Sequence, residues 1–182
     1  MAFTDFTETD WTTGDTITAA LLDELEKRAA GARPYLQAKK TADLSIADTT
    51  TVVTFDTETY DNDDMFNGTN IEIQLTGVYH ILFTAAWSGT AGLNDYTELD
   101  IINWQDPTAY PLAKHTAYNV QYASAIWWQQ VSYVERLASS TILQCRATAS
   151  GFTGILEHNA GGTTGDSIHV TATMLARDPG AS

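Results

Sequence analysis

Residues 77–87, GVYHILFTAAW, limit what this chain can become more than any other stretch. Tyr79, Ile81, Phe83, Ala85 and Trp87 recur at every second position, and His80, Thr84 and Ala86 fall between them. That is the pattern of a β-strand with one strongly apolar face. An apolar face of this length needs a second layer to cover it.

The rest of the chain supplies that layer as further strands. Residues 35–38 and 51–55 read as short strands, the second with Val53 and Phe55 inward. Residues 56–68, DTETYDNDDMFNG, read as an acidic loop rich in turn residues, and 70–75 as another strand. Residues 97–104 put Leu99 and Ile101 inward, and Pro107 and Pro111 mark a connection. The stretch 118–137 has room for more than one strand. In 141–148, Leu143, Cys145 and Ala147 share a face, and in 167–175 Ile168, Val170, Ala172 and Met174 do. Between these last two lies a glycine-rich segment, 151–165. Eight to ten strands and no helix long enough for a parallel crossover exclude a doubly wound sheet and leave an antiparallel sandwich or barrel.

The beginning of the chain reads differently. Residues 1–15 are polar and acidic with isolated aromatics at Phe3, Phe6 and Trp11, which suit anchoring on another surface better than building a core. From Thr18 a helix is expected: Thr18 caps it, Ile17 and Leu22 form a staple, and Leu22, Leu25 and Ala29 make its stripe. Gly31 and Pro34 end it. A helix of about twelve residues is marginal alone and must pack on something. The expected division is therefore an arm and helix over 1–33 and a β domain over 34–182.

Charge narrows the partners. Twenty-three acidic residues face nine basic ones, a net charge of -14. Such a chain is not suited to a nucleic-acid backbone or an anionic membrane. From residue 41 onward the bases are Lys114, Arg136, Arg146 and Arg177, so an acidic surface is expected there. The single cysteine, Cys145, precludes an internal disulfide and reads as a buried packing residue. The acidic start and the lack of an apolar run predict neither signal peptide nor membrane span.

The ordered segments TVVTFDTETYDNDDMF, GVYHI, VSYVERLASSTILQCRATASG and GDSIHVTATMLARD resemble the globular head shared by complement C1q and the tumour necrosis factors, in the version found in bacteriophage virion proteins. The most specific match is Gly77-Val78-Tyr79 opening a long inner strand, after Phe55-Asp56 and an acidic loop. The resemblance implies a ten-strand jelly roll, all-β, assembled as a homotrimer with aromatic side chains about the three-fold axis. Where the family commonly has a Gly-Asp turn, this chain has Ala138, Ser139 and Ser140. Separately, WTTGDTITAALLDELEKRAAG resembles N-terminal segments of structural proteins from phages of actinobacteria, through Trp11, Gly14, Asp15, Thr18, Ala19, Ala20 and Leu22.

Signals for chemistry are few. His80, His115, His158 and His169 are scattered without ligand spacing, and His80 and His169 fall opposite their strands' apolar faces. There is no nucleophile elbow and no phosphate loop, so no enzymatic activity is expected. Asp61, Asn62, Asp63 and Asp64, with Glu58, offer oxygens of the kind calcium takes, but lack the glycine and terminal glutamate of an EF-hand; a solvated or partner-facing loop is the alternative. Adjacent Trp127 and Trp128 must point to opposite faces of a strand, and with Tyr133 they suggest a subunit interface, with a sugar-stacking surface as the competing reading.

Taken with the resemblance, these features lead to an expected function. The chain is a non-enzymatic phage virion structural protein, a homotrimeric decoration or fibre-like head on the tail or capsid. Phe3, Phe6, Trp11, Leu22 and Leu25 attach it to other virion proteins, and Trp127, Trp128 and Tyr133 hold the trimer. It is made in the host cytoplasm and works on the particle, with no cofactor apart from the calcium in question. The alternative is a tail-tip protein that binds a host receptor or surface glycan.

Overall fold

A computed structural model describes residues 33–92, 94–106, 111–118, 126–160 and 167–178. The expected arm and helix, and with them Phe3, Phe6, Trp11, Leu22 and Leu25, lie outside the described residues.

The described chain forms an all-β sandwich of twelve strands: β1 Tyr35–Lys39, β2 Leu44–Ile46, β3 Thr50–Val52, β4 Thr57–Asp61, β5 Ile71–Glu72, β6 Gly77–Ser88, β7 Tyr96–Asn103, β8 Ala113–Tyr118, β9 Trp127–Leu137, β10 Ile142–Ser150, β11 Gly154–Leu156 and β12 Ile168–Arg177. All pairings are antiparallel. The first sheet runs β2-β11-β6-β12-β1-β4, with β9 on the other side of β6; the second runs β3-β10-β7-β8, with β5 also on β10. Neighbours in space are mostly distant in sequence, so each sheet interleaves strands from both halves of the chain.

The long apolar strand holds the centre of the first sheet. Tyr79, Ile81, Phe83, Ala85 and Trp87 of β6 are fully buried. Opposite them lie Leu99 and Ile101 of β7 with Leu143, Cys145 and Ala147 of β10. The Gly-Val-Tyr opening has a physical cause at both ends. A Cβ on Gly77 would stand 2.7 Å from the Ala176 carbonyl oxygen, because β12 bulges between Met174 and Ala176 where it passes β6. Tyr79 sends its ring into the core and its hydroxyl donates to the Leu75 carbonyl at 2.9 Å. Burial, with the Asp63 charge nearby, pushes that hydroxyl far above its usual range.

Phe55-Asp56 is the second anchor. The Phe55 ring meets Phe83 edge-on at 6.0 Å and Phe66 at 6.2 Å. Asp56 turns outward and accepts from the Thr41 amide and hydroxyl, both at 2.8 Å.

Twelve strands stand where the resemblance implies ten, and several limits move. The acidic segment expected as a loop contains β4, which pairs with β1 alone and is polar on both sides, so it gives no alternation to recognise. Strand β8 is likewise an edge strand, with no fully buried residue. Strands β2, β5 and β11 have two or three residues, too few to show a period. Val53 and Phe55 are buried as expected, although β3 ends at Val52, with the Val53 amide still donating to the Cys145 carbonyl of β10. In the turn at Ala138, Ser139 and Ser140, Ser140 takes the left-handed position at φ 66° and its amide donates to the Ile73 carbonyl.

Candidate interaction face

Alternation along five neighbouring strands generates one broad outer face on the first sheet. Its centre comes from β6, which turns Val78, His80, Leu82 and Thr84 away from the core. Strand β9 adds Trp128, Gln130, Ser132 and Val134 in register beside them. On the other side β12 adds His169, Thr171 and Thr173, β1 adds Tyr35, Gln37 and Lys39, and Tyr60 of β4 closes the row beside Gln37. No outward position on these five strands is Asp or Glu, in a chain that carries twenty-three of them. Large apolar groups are exposed there instead: Val134 at 55 %, Trp128 at 54 % and Tyr60 at 50 %.

The adjacent tryptophans divide as their spacing requires. Trp127 packs partly buried against the core, and Trp128 stands outside. Tyr133 faces inward with Trp127, its hydroxyl donating to Glu135, and burial followed by that contact raises it far above its usual range. Of the three residues expected at a subunit contact, the fold therefore presents Trp128 on the outer face and places Trp127 and Tyr133 on the inner side of β9.

Strand β9 is also where the two sheets come closest to joining. Gln129, almost fully buried, donates from Nε2 to the carbonyls of His115 at 2.7 Å and Thr97 at 3.3 Å. The His115 Nδ1 in turn lies 2.7 Å from the Gln130 carbonyl, where it must donate. These contacts tie β9 to β7 and β8. A glutamine inside an aromatic run carries no sequence signal that separates this role from an exposed one.

The outer face of the second sheet is charged by contrast. Asp100 of β7, 2 % exposed, accepts two hydrogen bonds from Arg146 of β10. Glu98 pairs with Lys114 at 2.6 Å and accepts from the Thr116 hydroxyl. Beyond them Tyr96 and Tyr118 meet at 5.6 Å between ring centres, Tyr118 being 68 % exposed.

In the acidic segment the side chains serve the backbone. Asp61 accepts from the amides of Asp63 and Phe66, and Asn62 links Tyr35 to Arg33. Asp63 is buried near Tyr79, whereas Asp64 is exposed in a left-handed conformation. Among the described residues no group of three or more His, Cys, Asp or Glu side chains is placed to hold a metal ion.

Nor do the described residues assemble a catalytic centre. His158 Nδ1 pairs with the Asp43 carboxylate at 2.6 Å, and its Nε2 meets the Asn159 amide rather than a hydroxyl or thiol. Cys145 is buried, and burial followed by the Asp100 charge pushes its thiol far up, away from the reactive thiolate.

No protein-family model matches the chain, and no curated protein does. Solved structures do match. The globular domain of zebrafish complement 1qA protein superposes with a TM-score of 0.51 at 14 % identity, covering 80 % of this chain and 100 % of that one. Murine APRIL, crystallised at pH 8.0, superposes with a TM-score of 0.56 at 12 % identity, covering 79 % and 100 %. The chain thus has the C1q/TNF-like jelly-roll fold. Identities this low establish the fold and nothing further.

Proposed function

We propose that this chain is a non-enzymatic structural protein of a bacteriophage virion: a self-associating, homotrimeric head that residues 1–33 attach to the tail or capsid. The observation that supports self-association is the outer face of the first sheet. A protein of charge -14 approaches its own copies only against like-charge repulsion wherever carboxylates face each other. The β4-β1-β12-β6-β9 face removes that obstacle and adds exposed aromatic and aliphatic area, with Trp128 and Val134 as the anchors. The assignment to a virion is supported by the N-terminal resemblance running from Trp11 to Leu22. Immunogold labelling of purified particles tests it: label at regular positions is expected, and protein found only in the unassembled fraction would overturn it.

A second reading, receptor or glycan binding at a tail tip, is favoured by Tyr96 and Tyr118. They form an exposed aromatic pair on the sheet opposite the proposed contact, beside Glu98 and Thr116. Aromatic rings flanked by polar groups suit sugar stacking. If that reading is correct, label will sit at the tail tip alone, and Tyr118→Ala will abolish binding to a host envelope fraction while leaving the assembly intact.

A further inference from the structure

His80 stands in the interior of the carboxylate-free face. On its own strand it lies between Val78 and Leu82; it is opposed by Val134 on β9 and Thr173 on β12. Its Nε2 is 2.9 Å from the Ser132 Oγ, so one ring nitrogen has a hydroxyl partner within the sheet. The other titratable groups on the face are Tyr35 and Lys39 of β1, Tyr60 of β4, His169 of β12 and Arg136 of β9; the two phenols are neutral in the acid to neutral range, and the other three are cationic when charged. Two acids stand near its margin. Asp178, beyond β12, accepts from the Arg136 Nε at 2.7 Å, and Glu135 lies on the opposite side of β9 with the Tyr133 hydroxyl. Arg177 is paired in register with Gly77, on the inner side of its strand.

Resting on the self-association proposed above, we propose that His80 gates it: copies of this chain meet on this face with the imidazole neutral and separate when it takes a proton. A neutral imidazole beside Ser132 can be covered by another copy at little cost. An imidazolium brings a charge into a contact whose strands present no outward carboxylate. The facing surface belongs to an identical chain and presents none either. Symmetry repeats the charge in each copy, on a face whose Lys39 and His169 are of like sign when charged.

When protonation of the imidazole is excluded from the assembled state, association falls about tenfold per pH unit for each copy once the pH is below the point at which the separated chain takes up that proton. Three copies make the loss about a thousandfold per unit. The gate would let the protein assemble in a neutral compartment and release in an acidic one.

The test is sedimentation equilibrium of the full chain at low micromolar concentration, at about pH 8 and about pH 5, with His80→Gln alongside the wild type. Glutamine keeps a polar partner for Ser132 and does not titrate. The wild type should be assembled at the higher pH and monomeric at the lower, with unchanged near-ultraviolet circular dichroism, and His80→Gln should be assembled at both. A wild type assembled at both pH values overturns the gate and leaves self-association standing. Parallel dissociation of wild type and His80→Gln also overturns it, by assigning the titration to another group. A wild type monomeric at both removes self-association itself. Monomer at both pH values with retention on heparin at the lower would make the occupant of this face a polyanion instead of a second copy.

Discussion

Arg146 holds Asp100 across β10 and β7 through two parallel hydrogen bonds of 2.8 Å, one from Nε and one from Nη2. The pair lies on the outer side of the second sheet, yet the Asp100 side chain is 3 % exposed and that of Arg146 is 23 % exposed. Two-point geometry of this kind fixes strand register as well as charge. Lysine could not reproduce it.

Arg146→Ala leaves the Asp100 carboxylate buried without its partner. Breaking a buried pair from one side costs about 3 kcal/mol, more than the pair contributes relative to apolar residues of the same size. Urea unfolding should therefore show a large fall in midpoint for Arg146→Ala. The double replacement Arg146→Met with Asp100→Leu should recover most of it.

The Gly77 and Phe55 positions predict losses of different origin. Gly77→Ala pushes a methyl against the Ala176 carbonyl and the Met174 side chain, and overpacking of this type costs about 1–3 kcal/mol. Phe55→Ala opens a cavity between Phe66 and Phe83, at about 3–5 kcal/mol. Thermal unfolding should rank Phe55→Ala as the more damaging change.

Asp43 gives a pH signature. The His158 amide, the His158 ring and its charge hold the Asp43 carboxyl below its usual value, against a smaller opposing effect of burial. A carboxyl depressed by folding stabilises the native state above its unfolded pKa of about 3.9, and the contribution is lost as pH falls through the lower, folded value. Asp43 is half exposed, so the effect is small, under about 1 kcal/mol. Asp43→Ala should lower stability slightly at neutral pH, and the difference from wild type should vanish as pH falls through the lowered, folded value.

What the sequence made legible follows one rule: strands with one dry face announce themselves. Residues 77–87, 141–148 and 167–175 each have an apolar set at period two, and each proved to be a core strand, with His80 and His169 on the outer side and Cys145 inside. Edge strands β4 and β8 carry no such signal because neither of their faces is dry throughout. The absence of acids from one face was hidden for another reason. It arises from positions drawn from five segments between Tyr35 and Thr173, which become neighbours only once register is known. Asp100 shows the converse. Its place in an alternating strand implies exposure, and only the Arg146 partner on another strand explains its burial.

The two tryptophans should behave oppositely. Trp127 supports the core, so Trp127→Ala should destabilise the single chain by on the order of 2 kcal/mol. Trp128 is on the outer face, so Trp128→Ala should leave unfolding of the separated chain unchanged and weaken association. Chemical denaturation and a dilution series, run on both variants, separate the two effects.

Val134 offers the sharpest probe of the outer face, since it is exposed and directly opposes His80. Val134→Glu places one carboxylate per copy where the wild type has none, without disturbing the core. Sedimentation equilibrium at about pH 8 should give the wild type the mass of three 19.8 kDa chains and Val134→Glu the mass of one, with the same circular dichroism. A wild type with the mass of a single chain, or a Val134→Glu protein that remains fully assembled, would contradict self-association through this face.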